Sequence, residues 1–295
     1  MNNIRRYQSS DAGVLADIYN VLESGEALSE NQLARRLSNH ENAGGKTWIL
    51  VTDGQIKGYA TLAPVPALDG LYDLGGGIAP AYRRRGLGSL LLKHIIKEGR
   101  SGGVQQITRA VDSLESNITR FLQRNGFQVE HEEWRMDKDD LSELSPVIAP
   151  DGYGLGSYRR SVAIKRFREL YKSSFANLAW YQPYLSDAEV SAELEDDDCI
   201  IFLLEGEIPV GFIWLRWPEP KVAEIEPLGV VESHQGRGLG RFLLESGLRI
   251  AADQGTDKVT IGVWSDNYPA VGLYLGLGFK YVRTLSYLAY NVSSR

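Results

Sequence analysis

Residues 235–240 read Gln235-Gly236-Arg237-Gly238-Leu239-Gly240, and residues 83–88 read Arg83-Arg84-Arg85-Gly86-Leu87-Gly88. The last four residues of the two stretches are identical and lie 152 positions apart. Two more matches keep that offset and order: Gly126-Phe127 with Gly278-Phe279, and Asp53-Gly54-Gln55-Ile56 with Glu205-Gly206-Glu207-Ile208. Three ordered matches at one spacing describe a duplicated domain. A period this long is too large for a solenoid unit, so each copy needs its own core.

Working outward from these anchors, both copies read alike. Copy one carries helical patterns over 11–23 and 29–39, two strands meeting at Asp53-Gly54, an extended stretch over 71–78 and a helix over 87–99. A strand over 105–111, a short helix over 115–124 and a strand over 127–137 follow. Copy two shows helices over 161–175 and 187–195, then strands over 199–205 and 208–216 around Glu205-Gly206. A strand over 222–230, a helix over 238–253, a strand over 257–263, a helix over 268–277 and a strand over 279–290 complete it. Strands paired by tight turns and then alternating with helices predict a mixed α/β fold. Ser142, Ser145, Pro146, Pro150, Gly152 and Gly154 supply turn formers without an apolar period. The expected division is 1–140 and 153–295, joined by a linker over 141–152.

Composition narrows the function. The chain of 295 residues is 43% hydrophobic and 24% charged, with a net charge of −6. Residues 1–150 carry 17 basic and 19 acidic side chains, and residues 151–295 carry 15 and 19. Neither half has the basic face of a nucleic-acid binder. The single Cys199 excludes a disulfide scaffold and a cysteine-based metal site. His40, His94, His131 and His234 lack metal-ligand spacing, so no metal is expected. Residues 1–6 lack the apolar stretch of a signal peptide, and no run approaches a membrane span, which reads as a cytoplasmic chain without a membrane partner.

Each glycine-rich stretch lies between an expected strand and an expected helix. Glycines let the backbone approach a ligand, and N–H groups at a helix start point one way, which suits an anion. A Walker loop is excluded because no Gly-Lys-Ser or Gly-Lys-Thr occurs. A dinucleotide fingerprint fits poorly: the third position after Gly238 is Arg241, and after Gly88 it is Leu91. The glycines could also do no more than turn the chain.

The pattern R/Q-x-x-G-x-G/A between strand and helix, with a downstream Gly-Phe, resembles the GNAT superfamily of acyl-CoA-dependent N-acyltransferases. Copy two fits it as Gln235-x-x-Gly238-x-Gly240 and copy one as Arg83-x-x-Gly86-x-Gly88. The resemblance covers nearly the whole chain as two tandem units, each a mixed, mostly antiparallel twisted sheet flanked by helices. It implies an acetyltransferase using acetyl-CoA, with a small-molecule or peptide amine as acceptor. The cofactor's pyrophosphate would meet the loops Gln235, Gly236, Arg237, Gly238, Leu239, Gly240 and Arg241, and Arg83, Arg84, Arg85, Gly86, Leu87 and Gly88. The preceding strand ends at Val230 and Val231 or at Ile78. Pantetheine would lie along a strand splayed from its neighbour.

The resemblance also implies an acid for the leaving thiolate, a Tyr four residues before the Gly of the Gly-Phe pair. Tyr274 holds that place in copy two, whereas copy one has Leu122. Asn267 matches an Asn that often touches the cofactor, and Glu115 stands in its place in copy one. Glu224 and Glu226, two apart on one strand face, are the candidate bases, with Glu224 at the commoner spacing; copy one has Tyr72 and Leu74 there. Copy two is therefore the expected catalytic domain. The bland readings stay open: Tyr274 as a core tyrosine, the two glutamates as a solvated strand face, and Asn267 as a helix cap. Phe175, Trp180, Tyr181 and Tyr184, with Trp214 and Trp217, could line an acceptor pocket or simply pack a core. Cys199 reads as a core residue, His234 as a loop residue, and Glu195-Asp196-Asp197-Asp198 as a charged turn. An acyl-CoA-binding sensor without turnover is the alternative function.

Overall fold

The computed structural model describes residues 2–22, 27–142, 144–178 and 181–292. The first repeat folds as β1 (Asn2–Arg6), α1 (Ala12–Leu22), α2 (Glu30–Asn42), β2 (Lys46–Thr52), β3 (Gln55–Pro64) and β4 (Leu71–Ile78). It continues with α3 (Leu87–Ser101), β5 (Gln106–Val111), α4 (Asn117–Arg124) and β6 (Gln128–Asp139). The second repeat matches element for element. It runs β7 (Tyr153–Gly156), α5 (Arg160–Phe175), α6 (Asp187–Glu193), β8 (Cys199–Glu205), β9 (Ile208–Glu219) and β10 (Val222–Val230), then α7 (Leu239–Asp253), β11 (Lys258–Trp264), α8 (Tyr268–Gly276) and β12 (Lys280–Asn291). The duplicated mixed α/β fold is as expected. Among the strands and α-helices, sequence reasoning missed the short β1 and β7, of five and four residues.

Two compact units form, but each repeat does not stay in one of them. The first unit is Met1–Glu130 together with Ser286–Arg295, and the second is His131–Leu285. Within the first, the strand order is β1-β2-β3-β4-β5-β12; within the second it is β7-β8-β9-β10-β11-β6. The last strands of the repeats are exchanged. Residues Ser286–Asn291 of β12 pair antiparallel with β5, and Glu133–Asp139 of β6 pair antiparallel with β11. The units therefore divide elsewhere than the sequence boundaries of 1–140 and 153–295. The physical reason is that β6 and β12 follow equivalent helices and carry similar local signals, so local sequence does not say which of β5 and β11 each will complete.

Inside each unit all strand pairs are antiparallel except one, β4 with β5 and β10 with β11. Alternate residues of each strand serve opposite faces. On β9, Phe212 and Trp214 join Phe167 of α5, while Ile213 and Leu215 join Leu243, Leu244 and Leu248 of α7. The first unit repeats this layering, with Leu15 and Leu33 over one sheet face and Leu91, Ile95 and Leu288 over the other.

Candidate active site

The two glycine-rich helices start differently from the side-chain-capped ones; α5, whose N-cap Arg159 also makes no side-chain cap bond, lacks their left-handed glycine. Side chains cap α2, α4, α6 and α8: Ser29, Ser116, Ser186 and Asn267 each accept from a backbone N–H of the first turn. Helices α3 and α7 begin instead on Gly86 and Gly238, with φ of 78° and 77° and no side-chain cap. Their first N–H groups have no intrahelical acceptor, and the loop beside them is uncrowded: a Cβ at Gly86, Gly236 or Gly238 would meet nothing within 4 Å. Such a start fits an anion such as a pyrophosphate.

The residues expected to bind cofactor divide by what their side chains touch. Gln235 Nε2 donates to the Val230 carbonyl at 2.8 Å, and Arg83 Nε donates to the Ile78 carbonyl at 2.9 Å. Both side chains thus close the loop onto its own strand. Leu87 and Leu239 are buried in the cores, as are Ile78 and Val230, so only their backbone groups are available to a ligand. Arg237 donates to the Ser233 carbonyl and the Tyr153 hydroxyl, and Arg241 pairs with Glu245. Val231 N–H is used by the Val210 carbonyl. In the first unit, Arg84 takes the left-handed conformation (φ 63°) that Gly236 takes in the second (φ 75°). Arg85 lies over the Tyr82 ring. Asn267 Oδ1 is engaged by Ala270 N–H as the α8 cap.

Beyond the loop, a gap opens in the second unit. β10 and β11 pair only from Val222–Lys258 to Ile225–Ile261. Past that point β10 shifts register and stays with β9 through Val230, while β11 stays with β6 through Trp264. Backbone groups facing the gap lack ladder partners, as an extended amide-bearing chain would require.

Glu224 and Glu226 lie on β10 beside this gap, and the Tyr274 phenol is within electrostatic range of Glu226. Tyr274 is 6% exposed. Burial holds its phenol well above the ordinary value, and the Glu226 charge adds to the shift, so the two groups sense one another. Its hydroxyl has no hydrogen bond to the described residues. Glu224 and Glu226 share one cation: Arg135 Nη1 lies 3.2 Å from Glu224 Oε1 and 3.2 Å from Glu226 Oε2. Arg135 Nε lies 2.8 Å from Glu133 Oε1, although that oxygen makes no well-directed hydrogen bond. Burial raises the Glu133 carboxyl, Glu226 and Glu224 add to the rise, and Arg135 and Arg283 oppose it. Sequence reasoning missed Glu133 and Arg135, because they sit on a strand that belongs by sequence to the other repeat.

The α5 face of the same unit is aromatic. Phe167, Tyr171, Phe175, Tyr184, Phe212 and Trp214 pack ring against ring. Trp180 lies outside the described residues. The Tyr171 hydroxyl is pushed up to about 12 by burial, with Tyr181, Glu226 and Glu193 adding to it. Trp217 does not join them. It lies on the α7 side and donates to Thr256 Oγ1 at 3.1 Å. Asp198 of the acidic turn accepts from Trp214 Nε1. Cys199 packs against the core and burial lifts its thiol to about 11, which leaves it protonated and unreactive at neutral pH. His234 contacts Ser233 and Glu205. Among the described residues no group of His, Cys, Asp and Glu could hold a metal ion, and no helix is long and apolar enough to cross a membrane.

The sequence signature of the Acetyltransferase (GNAT) family matches residues 15–127 and again residues 164–279. The chain belongs to this family. A mycothiol acetyltransferase of Corynebacterium glutamicum (strain R) is 28% identical over 211 residues, covering 68% of this chain and 70% of the relative. A tandem GNAT protein from the clavulanic acid biosynthesis pathway superposes with a TM-score of 0.67 at 15% identity and covers 100% of both chains. A GCN5-related N-acetyltransferase from Sphaerobacter thermophilus gives 0.69 at 16% identity, over 99% of this chain and 96% of that one. These two share the fold.

The protein is thus an acyl-CoA-dependent N-acyltransferase of the acetyltransferase type, and this family uses acetyl-CoA. Its two GNAT units differ at the gap. In the first, β4 and β5 pair only from Leu71–Gln106 to Asp73–Thr108. Just past that point Arg109 Nη1 donates to the Leu74 carbonyl at 2.7 Å. The matching residue on β11, Ile261, has no side-chain donor. Leu122 is buried where the second GNAT unit has Tyr274.

Proposed function

We propose that the enzyme transfers the acetyl group of acetyl-CoA to a primary amine of a small molecule or peptide, and that the second unit alone does so. What supports this reading is that the buried Tyr274 phenol lies within the electrostatic reach of Glu226, while Glu226 and Glu224 share Arg135 beside the β10–β11 gap. The first unit offers Leu122, Tyr72 and Leu74 in their places. The side chain of Arg109 already takes a strand carbonyl that a pantetheine amide would need.

The residues fit the cofactor. Backbone N–H groups from Gly236 through Arg241 would hold its pyrophosphate, and the free edge of β10 up to Val230 and Val231 its pantetheine, with Asn267 beside it. Acetyl-CoA supplies an acetyl group as a thioester whose thiol is released. Gln235 keeps the loop closed over the strand end. Glu224 or Glu226 accepts the proton of the incoming ammonium, leaving a neutral nitrogen as nucleophile. Tyr274 holds a proton at its hydroxyl through neutral pH and gives it to the leaving sulfur. The aromatic wall at Tyr171 and Tyr184 excludes water from the acceptor side and, with the carboxylates, favours a cation.

Relatives carry the name mycothiol acetyltransferase, so a mycothiol-related amine is the first acceptor to try. The single cysteine agrees with a reducing, cytoplasmic setting. The test is release of CoA thiol with a panel of polyamines, aminoglycosides, amino-acid and peptide N-termini and cysteine-glycoside amines, alongside calorimetry of acetyl-CoA binding. One amine class should release thiol and appear acetylated by mass spectrometry. Tight acetyl-CoA binding without thiol release across the panel would replace this reading with a sensor.

A further inference from the structure

Arg135 belongs to no motif and reaches the second unit only because β6 completes that sheet. There it stands opposite Gly262, one residue beyond the last β10–β11 pair. A Cβ at Gly262 would lie 2.8 Å from Glu133 Oε1 and 3.2 Å from Arg135 Nη1, so the missing side chain is what leaves room for this ion pair. One guanidinium nitrogen serves Glu224 and Glu226 together, and another faces Glu133, whose side chain is 12% exposed. Other charged and titratable groups border the cluster from every packed element. Arg283 on β12 acts on Glu133, Tyr171 on α5 and Tyr274 on α8 sense Glu226, and Arg216 on β9 is the register partner of Glu224. Arg216 itself is drawn to Glu193 at 3.2 Å and stacks over the Trp214 ring at 4.3 Å. Three carboxylates thus face the two guanidiniums of Arg135 and Arg283, one negative charge in excess.

We propose that Arg135 is a positioning residue for the amine acceptor: it holds Glu224 and Glu226 together beside the gap and trims the charge of the cluster to match one primary ammonium. The inference rests on the amine-transfer reading above. The planar fork is suited to the task because it can address several carboxylate oxygens at once, which a single ammonium point charge does less well. The proton taken from the substrate nitrogen passes to a carboxylate oxygen of the cluster and from there to water. Without Arg135 the carboxylates repel one another and separate, so they no longer face the incoming amine together.

The test compares the full-length wild type with Arg135→Gln and Arg135→Lys. Steady-state kinetics would use the best amine of the panel, and the glutamate carboxyls would be titrated by NMR on 13C-labelled protein. In Arg135→Gln, kcat/KM for the amine should fall about 100-fold, while the acetyl-CoA KM stays within about twofold. The Glu133 carboxyl, whose rise Arg135 opposes, should titrate higher, and the acid limb of kcat/KM should move the same way. Arg135→Lys should recover at least tenfold of the loss, and it keeps the comparison readable if the Gln variant folds poorly. An unchanged carboxyl titration, or equal losses for the amine and acetyl-CoA in both variants, would overturn the proposal. If the wild type acetylated no amine, the transfer reading would fall first, and the titration would still decide whether Arg135 governs the carboxylates.

Discussion

Gln235 Nε2 donates to the Val230 carbonyl across 2.8 Å, five residues back along the chain, and this bond shuts the glycine-rich loop onto the end of β10. Arg83 makes the same closure onto Ile78 in the first unit. A partly buried bond of this kind is worth about 1 kcal/mol net. Gln235→Ala should therefore weaken acetyl-CoA binding roughly fivefold, as measured by calorimetry. Arg83→Ala should leave that affinity unchanged.

The two loop glycines offer a matched comparison. Gly86 and Gly238 have the same left-handed φ, and a Cβ at either would meet no neighbour. Valine at either site costs the fold about 1–2 kcal/mol of backbone strain, so thermal denaturation should show similar losses. Function should not. Gly238→Val should raise the acetyl-CoA Kd at least tenfold, and Gly86→Val should keep kcat/KM within about threefold. Loss of activity from the Gly86 variant alone would place catalysis in the wrong unit.

Tyr274→Phe keeps the ring that packs 5.9 Å from Phe279 and removes only the hydroxyl. We expect kcat to drop at least tenfold with acetyl-CoA affinity nearly unchanged. Burial and the Glu226 charge hold the phenol above its ordinary value of 10.0. A raised acid stays protonated to higher pH. The wild type should thus show no alkaline loss of kcat attributable to Tyr274 up to about pH 10, and the rate–pH profile checks it.

Strand exchange predicts how the chain tolerates cutting. A fragment of residues 1–141 would leave β5 without β12, and a fragment of 152–295 would leave β11 without β6. Each exposes an unpaired strand edge and part of a core, including the place of Leu288 or Met136. Each fragment alone should aggregate or lose its cooperative melting transition by circular dichroism. Co-expressed, the two should form a complex that recovers acetyl-CoA binding.

Much of the fold was legible because local signals repeat. The Asp53-Gly54 and Glu205-Gly206 turns, the strand ending at Val230 and the helix starts after Gly86 and Gly238 all follow from backbone preference and apolar period. The short β1 and β7 were hidden because four or five residues carry too little period to read. At the site, the family resemblance singled out Tyr274 by its place before Gly278-Phe279, and Glu224 and Glu226 by their spacing to the loop. Trp217 could not be sorted from Trp214 until strand alternation set them on opposite faces.

The sequence by itself determined that one domain is written twice, where each glycine loop falls, and that only the second copy has a tyrosine at the place of Leu122. Those are properties of residue type and spacing along the chain. Tertiary structure alone decided that the final strands trade places, that Glu133 and Arg135 reach Glu224 and Glu226 from 89 to 93 positions away, and that Arg109 spans the gap of the first unit. The reason is physical: local preference acts through neighbours in sequence, whereas strand pairing and burial select partners by the whole core they complete. Arg135 carries no local signal of its role, because its partners exist only once β6 has paired with β11.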